Sequence, residues 1–205
     1  MTVATTEDRA DDEAATQQRA DRPPAGAPRV GAPGAGQAER RWFLFGLTAG
    51  VVVVADQLSK AWVEAEFELG PATPPTPVVG DLVRIAKGYN DGGIFGLFGD
   101  SATVLGLASL AVIALIVVYQ FRQGATSGPV LSLTLGLLLG GAVGNLIDRV
   151  VHGHVIDFVD MGIGTLRFYT FNVADSAISV AIVLLIALSL FGDRIPGGSM
   201  DQAAR

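Results

Sequence analysis

Four almost uncharged runs, at about Trp42–Val63, Ala102–Phe121, Pro129–Ile147 and Asn172–Phe191, constrain this chain more than any other feature. A helix of about 20 apolar residues is what crosses the hydrocarbon core of a bilayer. Backbone polar groups in lipid must be satisfied within the segment, so each run is expected as a transmembrane helix. Of the 205 residues, 50% are hydrophobic and 17% charged. The formal charge of −6 comes partly from a cluster at Glu7, Asp8, Asp11, Asp12 and Glu13, and no basic stripe offers itself to a nucleic acid. The lack of cysteine excludes disulfides, thiolate metal sites and cysteine nucleophiles.

The domain expected from these runs covers residues 42–195. Residues 1–41, rich in Ala, Pro, Gly, Gln and charge, cannot bury enough surface to offset their ordering entropy and are expected to be a disordered tail. Their acidic start and missing apolar core do not fit a secretory signal peptide. Residues 196–205 are expected to be a second disordered tail.

Four spans return the chain to its starting side. Alternation then puts DQLSK (56–60), YNDGGIFG (89–96), GNLIDR through HVIDFVDM (144–161) and FNVADS (171–176) on one face. Arg40, Arg41, Arg122 and Arg194 on the opposite face favour that face as cytoplasmic, although Lys60, Arg84, Lys87, Arg149 and Arg167 lie with the polar motifs. The connections on the motif face are long. VVGDLVRIAKGYN within 64–101 reads as a strand and 150–171 as a hairpin, together a small β platform at the interface. Phe67, Tyr89, Phe158, Phe168, Tyr169 and Phe171 would supply its interfacial surface. The expected fold class is therefore a membrane all-α protein, four transmembrane helices with a small β platform.

Carboxylates at a membrane boundary are costly unless something uses them. Asp56 and Lys60 are four residues apart on one helical face and can pair; they read as a neutralised pair or, alternatively, as a proton-transferring acid with its partner. Asp148 beside Arg149 reads as an ion pair, a stop signal or a catalytic acid, with Asn145 one turn earlier. Asp157, between Ile156 and Phe158, is either a solvent-facing strand residue or a working acid. Asp175 is either a first-turn acid favoured by the helix dipole or the second member of a pair. Two carboxylates brought together can share one proton, activate water with one member and protonate a leaving amine with the other. His152 and His154 lack a third ligand and read as a polar turn rather than a metal site. The glycines of GLLLGGAVGN read as helix packing.

DQLSK, YNDGGIFG, GGAVGNLIDR, HVIDFVD and FNVADS, in this order over roughly residues 42–192, resemble the lipoprotein signal peptidases (signal peptidase II). The resemblance implies a bacterial inner-membrane aspartic endopeptidase with cytoplasmic termini, periplasmic loops and its site near the outer leaflet. It implies diacylglyceryl-modified prolipoproteins as substrates, cut just before the lipidated cysteine. Membrane lipids are its other partners; no cofactor, metal or obligate protein partner is implied. Its catalytic pair carries over to Asp157 and Asp175. Asp56, Lys60, Asn90, Gly92, Asn145, Asp148, Arg149, Asn172 and Ala174 match supporting positions, and Asp148 stays a rival for the first acid. Gly93 and Ile94 depart from the usual alanine after the glycine. A proton-relaying transporter and a non-enzymatic scaffold are the rival classes; the first would need polar groups through the bilayer, the second would not need both aspartates.

Overall fold

The computed structural model describes residues 35–69, 74–91, 102–123 and 128–191. Both tails outside this range, Gly92, Gly93 and Ile94 lie beyond the described residues. The elements run α1 (Ala35–Glu66), β1 (Thr76–Val79), β2 (Val83–Asn90), α2 (Ala102–Gln123), α3 (Pro129–Val151), β3 (Val155–Ile163), β4 (Leu166–Arg167) and α4 (Val173–Phe191). All four helices are long and apolar enough to cross a membrane.

α1 begins at Ala35, seven residues before the expected span, so residues 35–41 are helical and not part of a tail. Ala35, Gln37, Ala38, Glu39, Arg40 and Arg41 are good helix formers. Hydropathy delimits the part of a helix that lies in lipid and is blind to helix continuing beyond it. α3 likewise runs past Asp148–Arg149 to Val151.

α3 packs on α1, α2 and α4. Just over half of its apolar window, 56%, is buried, against 11% for α2. Glycine makes this central place possible. A Cβ at Gly136 would meet the Phe45 carbonyl oxygen at 2.7 Å, and one at Gly140 would meet Val52 Cβ at 2.6 Å. Any larger residue would push α1 away. At the end where α1 starts, Phe45, Ile116, Leu131, Leu135 and Leu188 form an apolar core. Trp42 stands across it, 5.7 Å from the Phe45 ring and 4.7 Å from Phe121.

The other end carries a four-stranded antiparallel sheet in the order β1-β2-β3-β4. VVGDLVRIAKGYN is thus a hairpin and not the single expected strand. Gly80, at φ +51°, permits the reversal, and the Leu82 amide closes it on the Val79 carbonyl at 3.0 Å. The expected 150–171 hairpin turns at Gly164, φ +55°. Phe158, expected at the interface, is buried. Asp160 ties the sheet together, bound by Arg84 Nη2 at 2.6 Å and by Arg167 Nε at 2.9 Å. Burial alone would raise its carboxyl, but the hydrogen bonds and charges of Arg167 and Arg84 outweigh it and hold the group below its usual range.

Candidate active site

The polar motifs converge where the sheet meets α1, α3 and α4. Lys60 lies one helical turn after Asp56, and both are almost fully buried. Its Nζ sits 2.7 Å from Asp56 Oδ2 and 2.8 Å from Asp148 Oδ2, and donates to Asn145 Oδ1 at 3.1 Å. One cation therefore serves two buried acids. The cation of Asp148 is Lys60 across the helix interface; the adjacent Arg149 instead donates to the Asn145 carbonyl at 3.1 Å. Consecutive residues on a helix point about 100° apart, which explains why adjacency misleads here.

A buried ion cluster is tolerable only when its remaining lone pairs are filled. Gln57 Nε2 donates to Asp148 Oδ1 at 2.9 Å and is 3.2 Å from Asp56 Oδ2. The Ile156 amide donates to Asp148 Oδ2 at 3.1 Å, and the Ala174 amide to Asp56 Oδ1 at 2.9 Å. Gly144 leaves room for Asp56, whose Oδ2 would lie 2.6 Å from any Cβ there. Asp56 and Asp148 thereby tie α1, α3, β3 and the start of α4 into one unit.

Asp157 and Asp175 are bound differently: among the described residues, none of their hydrogen bonds comes from a cation. Asp157 is 3% exposed, so it is not the solvent-facing strand residue of the alternative reading. It accepts from Asn172 Nδ2 at 2.8 Å and from Asn90 Nδ2 at 3.0 Å. Asp175 accepts from Asn145 Nδ2 at 2.8 Å and from the Asn172 amide at 3.2 Å. The Asp175 amide in turn donates to Asn172 Oδ1 at 2.9 Å. This reciprocal exchange is a capping box built from Asn and Asp, so Asp175 stabilises the first turn of α4 while presenting a carboxylate. Asn172 touches both acids, and Asn145 links Asp175 to Lys60.

Burial pushes the Asp157 carboxyl up to about 6. The Asn90 hydrogen bond works against burial, the Asp175 charge adds to it, and Asn172 and Lys60 oppose it again. Such a group carries its proton in about half of the molecules at pH 6 and about a tenth at pH 7. Arg149 lies within electrostatic reach of Asp175 and Asp157, and its buried Nε has no hydrogen-bond partner.

The structure brings together Asp56, Lys60, Asn90, Asn145, Asp148, Arg149, Asp157, Asn172, Ala174 and Asp175; Gly92 lies outside the described residues. Sequence reasoning missed Gln57 as a ligand of both Asp56 and Asp148, although its place beside Asp56 and three residues from Lys60 was a usable signal. His152 caps α3, and the His154 ring lies 4.0 Å from that of Tyr89. A cavity of about 570 Å³ is lined by Gln57, Lys60, Glu64, Tyr89, His154 and Ile156 among others; neither Asp157 nor Asp175 lines it.

Four spans with an acid-rich polar network at one end define an integral membrane enzyme. Residues 48–191 match the family model of signal peptidase (SPase) II. A lipoprotein signal peptidase of Syntrophomonas wolfei is 40% identical over 140 residues, covering 68% of this chain and 88% of the relative. One from Geobacillus kaustophilus is 36% identical over 143 residues, covering 70% and 90%. A solved bacterial membrane enzyme, determined by the in meso method at 1.9 Å, superposes with a TM-score of 0.63 at 28% identity, covering 78% of this chain and 96% of that one. The chain belongs to the signal peptidase II family and is an aspartic endopeptidase of the bacterial membrane.

Proposed function

We propose that this enzyme removes signal peptides from diacylglyceryl-modified prolipoproteins, cutting before the lipidated cysteine, with Asp157 and Asp175 as the catalytic pair. One observation carries the choice of acids. Asp56 and Asp148 are locked to Lys60, whereas Asp157 and Asp175 are held by neutral donors alone and can exchange a proton. Asp148, 2.8 Å from the Lys60 ammonium and bonded also by Gln57 and the Ile156 amide, has its oxygens committed to the structural network. This supports Asp157 over Asp148.

In the proposed reaction, Asp175 is half-buried at the start of α4 and acts as base towards water. It takes one proton as the water oxygen bonds to the scissile carbonyl carbon. Asp157 gives its proton to the carbonyl oxygen, forming a neutral gem-diol. On collapse the diol returns a proton to Asp157, and Asp175 passes its proton to the leaving amine as the C–N bond breaks. The cycle closes with both acids in their starting states.

The same reading places both termini in the cytoplasm and the acids near the outer leaflet. Lys60, Arg84, Lys87 and Arg167 lie on the site's side, but each is paired with an acid there. They are held by the fold; Arg40, Arg41 and Arg122 lie on the opposite side, the one the positive-inside preference marks as cytoplasmic.

The test is cleavage of a diacylglyceryl-modified prolipoprotein by purified protein in detergent. Asp157→Asn and Asp175→Asn should each lower turnover by about a thousandfold while the protein stays folded. Full turnover by Asp157→Asn would return the first role to Asp148.

A further inference from the structure

β2 and β3 pair in two registers. Arg84 lies opposite Asp160 and Ile85 opposite Val159, but Gly88 lies opposite Asp157 and Asn90 opposite Val155. Ala86 and Lys87 of β2 therefore face Phe158 alone, which is a bulge of one extra residue. Because side chains alternate along a strand, that residue inverts the faces beyond it. Before the bulge Arg84 shares a face with Asp160; after it Asn90 shares a face with Asp157. Without the extra residue Asn90 would point to the side occupied by Ile156, away from the acid it now contacts.

The bulge is held from outside the sheet. Lys87 Nζ donates to the Glu64 carbonyl at 3.3 Å and the Phe67 carbonyl at 3.1 Å, where α1 ends, and lies 3.0 Å from Glu64 Oε2. Only 7% of its side chain is exposed, unusual for a lysine. Tyr89 extends the attachment, its hydroxyl donating to Glu64 Oε2 at 3.3 Å. Nothing in the proposed chemistry uses Lys87, Glu64 or Tyr89. We propose that Lys87 is a positioning residue: by pinning the β2 bulge to the end of α1, it keeps Asn90 on the face from which it reaches Asp157.

The inference rests on Asp157 being a catalytic acid, and its test separates the two claims. Lys87→Met, Lys87→Arg, Asn90→Ala and the Lys87→Met/Asn90→Ala double variant are compared as full-length protein in detergent. Two readouts are taken: kcat and KM on lipid-modified prolipoprotein, and the titration of the Asp157 carboxyl by infrared difference against Asp157→Asn. An amide donating to a carboxylate favours its charged form, so losing Asn90 moves that titration to higher pH. The other groups facing Asp157, namely Asp175 of α4, Asn172 just before it, Lys60 of α1 and Arg149 of α3, are unchanged in these variants.

Lys87→Met should move the titration in the same direction as Asn90→Ala. It should lower kcat about tenfold with little change in KM, the size expected from losing one hydrogen bond to a charged group. Lys87→Arg should restore both, and the double variant should be no worse than Asn90→Ala, since both changes remove one contact. An unmoved titration in Lys87→Met, or losses that multiply in the double variant, would overturn the proposal. If Lys87→Met does not fold, Lys87→Gln replaces it with the same two outcomes. Should the wild type fail to cut while Lys87→Met still shifts Asp157, the positioning stands and the reading of function falls.

Discussion

The two ends of the helical bundle are built from the same four helices under opposite rules. At the end where α1 starts, Phe45, Leu131, Leu135 and Leu188 fit by shape, and buried Gln120 Nε2 and Ser132 Oγ have no hydrogen-bond partner. At the other end Asp56, Lys60, Asp148 and Asn172 are buried as deeply, yet Lys60 and the oxygens of both aspartates are bonded. Volume decides the first region; in the second, polarity is satisfied around Lys60, Asp56 and Asp148, with Arg149 Nε the exception. A membrane bundle can assemble on close packing alone; the polar end adds a network in which Asp56 and Asp148 share the Lys60 cation.

Lys60→Met should separate the ends most sharply. It leaves Asp56 and Asp148 buried with no cation, which costs about 3–5 kcal/mol in comparable buried pairs. The thermal unfolding temperature in detergent should drop accordingly and turnover should fail.

The pH dependence comes next. Asp157 is raised from 3.8 to about 6, so the folded state binds more protons than the unfolded state between those values. Stability therefore falls as pH rises through that window, by up to about 3 kcal/mol, and levels off above it. Asp160, held low by Arg84 and Arg167, acts with the opposite sign and loses its contribution as pH falls. Denaturation of wild type and Asp157→Asn across pH 4–8 should show the slope in the first protein only; equal slopes would mean that Asp157 is not the titrating group. If the proposed reaction holds, turnover should decline above pH 6, where Asp157 loses the proton it would donate.

Leu135→Ala, at the apolar end, should cost about 2 kcal/mol by opening a cavity and leave kcat unchanged. Gly144→Ala is the complementary probe, because its Cβ would meet Asp56 Oδ2 at 2.6 Å. It should cost about 1–3 kcal/mol by overpacking and lower kcat as well. Equal kcat values for these two variants would erase the distinction between the ends.

Much of this was legible in the sequence, and the reasons differ by element. The spans follow from run length, and residues 144–161 and 171–176 carry their polar groups in recognisable strings. Lys60 as partner of Asp56 follows from helical spacing. Its second bond, to Asp148, does not, because no local rule tells which helix faces α1. The β2 bulge was invisible: the alternation in VRIAKGYN reads equally well with Asn90 on either face. The helical start at Ala35 escaped because hydropathy says nothing of polar helix.

Asn172 reaches Asp157 through its amide nitrogen and the Asp175 backbone through its amide oxygen. One planar group, with fixed bond lengths, thus works as a gauge block between strand and helix. Bilayers differ in thickness, and long helices respond by tilting. A tilt of α4 would alter the gap between Asp157 and Asp175 only after those two bonds gave way, so that gap is set by the dimensions of an asparagine and not by those of the lipid.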